Sequence, residues 1–90
     1  MGESTGYVFA KKKITLSKTK REVEIREPSV ADQLAVSHID NDQLRGLALL
    51  ANLTGINEDE LRILPLTDYR ELDDAAMDFI YGDDEGFLEK

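Results

Sequence analysis

The sequence contains no cysteine and no tryptophan, and only one histidine and two prolines among its 90 residues. Without thiols, disulfide frameworks, zinc knuckles, thiol catalysis and iron–sulfur ligation are all excluded. The single histidine, His38, excludes any site that needs two. No apolar run approaches the ~18 residues of a helical membrane span. Met1-Gly2-Glu3-Ser4 lacks the basic start and apolar stretch of a secretory signal, which predicts the cytoplasm as the compartment. For the same reason Asn52-Leu53-Thr54, which spells a glycosylation acceptor, is set aside.

Positive charge is also scarce, at 11 Lys/Arg against 19 Asp/Glu, and it is unevenly placed. Residues 1–26 carry seven basic and three acidic side chains, whereas residues 27–90 carry four and sixteen. A polyanion would be repelled by most of this surface, so nucleic-acid binding is disfavoured as the main function. What is present is enough for a fold: 41% apolar and 33% charged residues suit a soluble globular chain rather than a disordered acidic tail. The length predicts one domain over 1–90, burying about 60–65% of its unfolded surface.

Residues 1–6 are small and polar and read as a loose terminus. From Tyr7 a period-two pattern places Val8, Ala10, Ile14 and Leu16 on one side of a strand over about 7–16, with Lys12 alone interrupting the apolar face. Val23 and Ile25 alternate with Glu22, Glu24 and Arg26 in a second strand, and Ser17 to Lys20 supply a short polar connection. An antiparallel hairpin over 7–26 follows. Pro28 and Ser29, with Asp32 three residues later, open a helix over about 30–38 that presents Val30 and Leu34. Cap-type residues Asp40-Asn41-Asp42 precede a helix from Gln43 to Thr54, ended by Gly55. Asn57 with Glu60 opens one or two turns over Glu58 to Leu64, which Pro65 helps to end. Thr67 caps a last helix from Asp68 to about Tyr81, whose stripe is Tyr69, Leu72, Ala76, Phe79 and Ile80. Residues 29–81 are thus the helical part, and 82–90 an acidic tail expected to be mobile. Strands before helices without alternation define an α+β fold, a hairpin followed by three to four short helices; the competing architecture is an all-α bundle.

No constellation for catalysis emerges, and the chain reads as no enzyme. His38, Asp40 and Asp42 have a spacing that offers a weak divalent-ion site, but at a helix end they read as caps. Asp83-Asp84-Glu85 lacks the alternating ligands of a calcium loop. Asp68, Glu71, Asp74 and Asp78 recur at helical spacing and read as an exposed face, with no apolar pocket around them for acid–base work. Lys11-Lys12-Lys13 has no interleaved aromatics for base stacking, so it reads as protection of a strand edge. No phosphate-cradling glycine loop or serine elbow occurs, and no cofactor or metal is implied.

Several segments together resemble a known family. These are Ile14-Thr15-Leu16-Ser17, the run Val23-Glu24-Ile25-Arg26-Glu27-Pro28-Ser29-Val30-Ala31-Asp32-Gln33-Leu34, then Leu49-Leu50-Ala51-Asn52-Leu53-Thr54-Gly55, then Leu61, Leu64 and Leu66-Thr67-Asp68-Tyr69-Arg70-Glu71-Leu72. In this order, over roughly residues 14 to 80, the chain is similar to the small tail assembly chaperones of contractile-tailed bacteriophages, including the Mu-like type. The resemblance implies a non-catalytic protein of the bacterial host cytoplasm, absent from the finished virion. It would keep the long tape-measure protein, and with it the tail tube protein, soluble and productive during tube assembly. It also implies a longer, frameshifted form in many relatives. Thr19-Lys20 stand where a longer glycine-bearing turn is common in that family. The acidic balance supports a different class as the alternative: an inhibitor or DNA mimic that binds a basic host or phage enzyme.

A partner surface is sought first on the helix from Gln43 to Thr54, which is apolar almost all round. Leu44, Leu47 and Ala51 occupy one side, Leu49 and Leu53 the other, and a small core covers one side well. Leu49, Leu53, Met77 and Tyr81 are the expected partner-side residues, for a client or for self-association into a homo-oligomer; methionine and tyrosine suit adaptable contacts.

Overall fold

The computed structural model of the chain describes residues 6–81. Strands β1 (Lys11–Thr15) and β2 (Glu22–Arg26) form an antiparallel hairpin, followed by helices α1 (Val30–Val36), α2 (Asp42–Thr54), α3 (Glu58–Arg62) and α4 (Leu66–Tyr81). The fold is therefore α+β, with the hairpin ahead of four helices. The register pairs Lys11 with Arg26 and Thr15 with Glu22. Beyond the ladder, Leu16 N–H donates to the Arg21 carbonyl and Lys20 N–H to the Leu16 carbonyl, closing a four-residue loop. Lys20 adopts φ 64°, a left-handed conformation that a Cβ disfavours.

The first strand is shorter than its alternation predicts. Only Ala10 before Lys11 continues the pairing, through its carbonyl and Glu27 N–H. Val8 is 85% exposed, so the apolar side expected of residues 8–16 reduces to Ile14 and Leu16. Instead of extending the ladder, Tyr7 donates its hydroxyl to Glu27 Oε1 at 2.8 Å and stacks edge-on against Phe9. The Glu27 carboxyl is held below its ordinary value, chiefly by Ala10 N–H and then by the Tyr7 hydroxyl.

One core joins the hairpin to the helices: Leu16, Val23 and Ile25 pack with Leu47, Leu50, Leu53, Ile56, Leu61, Leu72, Ala75 and Ala76. Full burial of each leucine or isoleucine contributes roughly 1.5–3 kcal/mol. The helix ends follow the capping chemistry of the sequence. Asn41 and Asn57 accept the N–H groups of Leu44 and Glu60, and Gly55 terminates α2 at φ 78°. Ser29 and Asp32 form a reciprocal capping box at α1.

Three expectations are corrected. The α1 face is not Val30 and Leu34, which are 73% and 65% exposed; Asp32 and Val36 are its buried residues. Asp32 is drawn inward because Arg26 grips both of its oxygens at 2.7 Å, a bidentate pair that holds its carboxyl well below the usual range. Thr67 is not the cap of α4, which begins at Leu66, with Tyr69 N–H bonded to the Pro65 carbonyl. Finally, Asp68 and Glu71 are not part of an exposed acidic face. Asp68, fully buried, accepts the N–H groups of Lys18 and Thr19 at 2.9 Å each, and Glu71 accepts Ser17 N–H at 2.9 Å and the Ser17 hydroxyl. The hairpin loop is thereby clasped to the first turns of α4. Burial raises the Asp68 carboxyl, but the Lys18 and Thr19 donors outweigh it and leave the group below its ordinary value.

Candidate partner-binding site

The four partner-side residues expected from the sequence are not brought together on one surface. Leu53 is 3% exposed and belongs to the core. Leu49 and Met77 are half-buried, and Tyr81, at the end of α4, is 65% exposed. The two-sided apolar character of α2 is met mostly from within: α1, β2, α3 and α4 all pack against it. What remains open is the N-terminal half of α2, flanked by two grooves.

The first groove, of about 460 Å³, runs between α1 and α2, with Pro28, Val30, Val36, Gly46 and Leu49 along it and Ile80 at one end. Its one basic residue, Arg45, is occupied. The guanidinium donates to the Ile39 carbonyl at 2.6 Å and pairs with Asp42, which ties down the α1–α2 connection. The second groove, of about 450 Å³, lies between α2 and α4 and is lined by Leu44, Gly46, Leu47, Leu66, Tyr69 and Asp73. Leu44 and Leu66 expose 45% and 65% of their surface along it.

Gly46 borders both grooves, and nothing inside the fold requires a glycine there. A Cβ at this position would meet only the Tyr69 hydroxyl, at an ordinary 3.8 Å. A glycine inside a helix costs about 0.5–1 kcal/mol relative to alanine. Its effect is to lower the wall of α2 between the two grooves. Asp73 is the other unusual residue. Half-buried, it accepts no hydrogen bond and joins no ion pair among the described residues. Desolvation and the neighbouring Asp74 raise its carboxyl above the ordinary value, with Arg70 opposing. Burial, reinforced by Asp73, likewise raises the Tyr69 hydroxyl. Sequence reading missed both residues, since an aspartate on an acidic helix and a glycine among leucines carry no distinguishing spacing.

The remaining candidates have structural roles. Asn41, rather than Asp40 or Asp42, caps α2, and no cluster of three or more metal-ligating side chains occurs among the described residues. Lys12 is not spent on guarding an edge: half-buried, it reaches Asp78 at 3.4 Å and lies 5.2 Å from the centre of the Phe79 ring. Lys11 and Lys13 are exposed. The Asp83-Asp84-Glu85 run and the expected acidic tail lie outside the described residues. No helix is long and apolar enough to cross a membrane among those described.

A hairpin clasped to a helical layer, acidic over that layer and open along two grooves, defines a small α+β protein whose open surface is made of helix faces. The sequence comparison gives that class its family. Residues 12–80 match the family described as phage tail assembly chaperone proteins, E, or 41 or 14, and the chain belongs to it. Proteins of this family are generally non-catalytic, and membership implies the binding of tail proteins. No curated protein and no solved structure matches the chain.

Proposed function

We propose that the chain is a non-catalytic chaperone that binds the tape-measure protein, keeps it from aggregating and releases it into the growing tail tube. Family membership over residues 12–80 carries this reading. Its physical support is the apolar surface left on the helical layer, where Val30, Leu34, Leu44, Leu66 and Ile80 are each at least 45% exposed. A long helical client exposes apolar stripes before assembly, and helix-in-groove packing is the way such stripes are covered. The acidic balance of residues 27–90 keeps the complex soluble by mutual repulsion. The tail tube protein is a second partner in this reading. The protein acts in the cytoplasm of the bacterial host and stays out of the mature virion.

The test is co-expression with a tape-measure protein of a contractile-tailed phage, taken from the genome that encodes this chain. The expected result is a rise in soluble tape-measure protein and a complex that survives high salt, because apolar burial is not screened by ions. Unchanged solubility with and without the chain would sink the proposal. Salt-labile capture of a basic nuclease instead would transfer the protein to the inhibitor class.

A further inference from the structure

The groove between α2 and α4 combines three features that the core does not explain. Asp73 is a half-buried carboxylate with no ion pair or hydrogen bond among the described residues, Gly46 is a helix glycine with no internal need there, and Leu44 and Leu66 are apolar rims left in solvent. Arg70, one turn earlier on α4, offsets part of this charge electrostatically but forms no ion pair with Asp73, and a cation brought to such a partly desolvated anion in an apolar setting is held more strongly than one at the open surface. The neighbouring groove between α1 and α2 lacks this property, since Arg45 there is already satisfied by Asp42 and the Ile39 carbonyl. Two helices form the rims, which suits a third helix laid between them, with side chains at i, i+3, i+4 and i+7 entering the groove. At Gly46 the missing side chain lets that helix approach closely.

We propose that this groove receives one helix of a tail-protein partner whose apolar stripe is interrupted by a single lysine or arginine, and that this cation pairs with Asp73. The inference rests on the tail-chaperone reading and specifies the chemistry of the client. A second copy of the chain does not fit the description. In the described helices the basic residues are Arg45, Arg62 and Arg70. The first ties a loop, the second ends a five-residue helix, and the third is exposed on the helix that forms the groove.

The experiment uses the full chain and two synthetic amphipathic peptides of about five helical turns, alike in a leucine stripe and different only in a central arginine or glutamine. Titration calorimetry gives affinities, and amide chemical shifts give the location. The arginine peptide is expected to bind about tenfold or more tightly than the glutamine peptide, with shifts centred on Gly46, Leu47 and Tyr69. Asp73→Asn should make the two peptides equal, and Asp73→Lys should reverse the preference toward a third peptide with a central glutamate, which also shows that the variant folds. Gly46→Leu should weaken both. Equal affinity in the wild type, no binding, shifts centred instead on Val30 and Leu34, or a change in self-association on Asp73→Asn would each overturn the assignment. If the tape-measure protein stays soluble with Asp73→Lys and Gly46→Leu as with the wild type, the chaperone reading stands and this groove is not its site.

Discussion

At the scale of single residues, the chain departs from local preference at a few positions, and each departure has a structural reading. Lys20 sits at φ 64° because the four-residue loop after Leu16 must turn back into β2, a position where glycine carries no Cβ penalty. Lys20→Gly is therefore expected to stabilise the protein by about 1 kcal/mol, read as a shift of the urea midpoint at constant slope. A loss of stability would show that the Lys20 side chain contributes more than its backbone costs. Arg26 and Asp32 show the opposite case. They look like ordinary surface charges in the sequence, yet the pair seals the junction of hairpin and α1, where Arg26 also donates to the Asn52 carbonyl at 3.3 Å.

At the scale of elements, α2 decides what is core and what is surface. Leu53 belongs with Leu50 and Ile56 to the buried cluster, while Tyr81 ends α4 in solvent. Leu53→Asp should unfold the free chain, since a charge buried without a partner costs several kcal/mol, a large part of the ~5–10 kcal/mol available to a domain of this size. Tyr81→Asp should leave the circular dichroism spectrum and thermal midpoint nearly unchanged. A folded Leu53→Asp would return that residue to the partner surface. The helix boundaries and the α+β order were legible because caps and stops are local: Ser29, Asn41, Gly55 and Asn57 act within four residues of themselves. Helix faces were not legible where a long-range polar bond competes with the apolar stripe. Arg26 turns Asp32 inward and leaves Val30 and Leu34 out, and the loop amides of Lys18 and Thr19 bury Asp68 in what reads as an acidic surface. The groove beside Asp73 was hidden for a related reason, because a carboxylate without an ion pair is recognised only when its surroundings are known.

At the scale of the whole molecule, charge sets the pH response. Glu27, Asp32 and Asp68 have folded values below their unfolded ones, so each contributes stability that is present above the unfolded value and is lost as pH falls through the folded one. Asp73 has the opposite sign. Its raised value adds a penalty as pH climbs through the interval between the unfolded and folded values, and the penalty persists at neutrality. The thermal midpoint should fall as pH drops below about 4, and Asp73→Asn should raise it at pH 7 with a gain that fades in acid. Lysine or arginine delivered by a partner would remove the same penalty, so a gain on Asp73→Asn in the free chain and a loss of partner affinity belong together. A wild-type midpoint that stays flat through acid would show that the three lowered carboxyls have no net effect on folding.

The clasp between the hairpin loop and α4 joins residues about fifty positions apart, Lys18 and Thr19 to Asp68 and Ser17 to Glu71. A two-stranded hairpin is marginal by itself, so the first structure the chain encodes is among the last it can keep. Until α4 is in place, the loop amides lack their carboxylate partners, and Leu16, Val23 and Ile25 lack the part of their cover that Leu72, Ala75 and Ala76 supply. Completion of this domain thus waits on α4, whichever order the other elements form in. The groove between α2 and α4 is formed by the same late arrival of α4 that locks the hairpin.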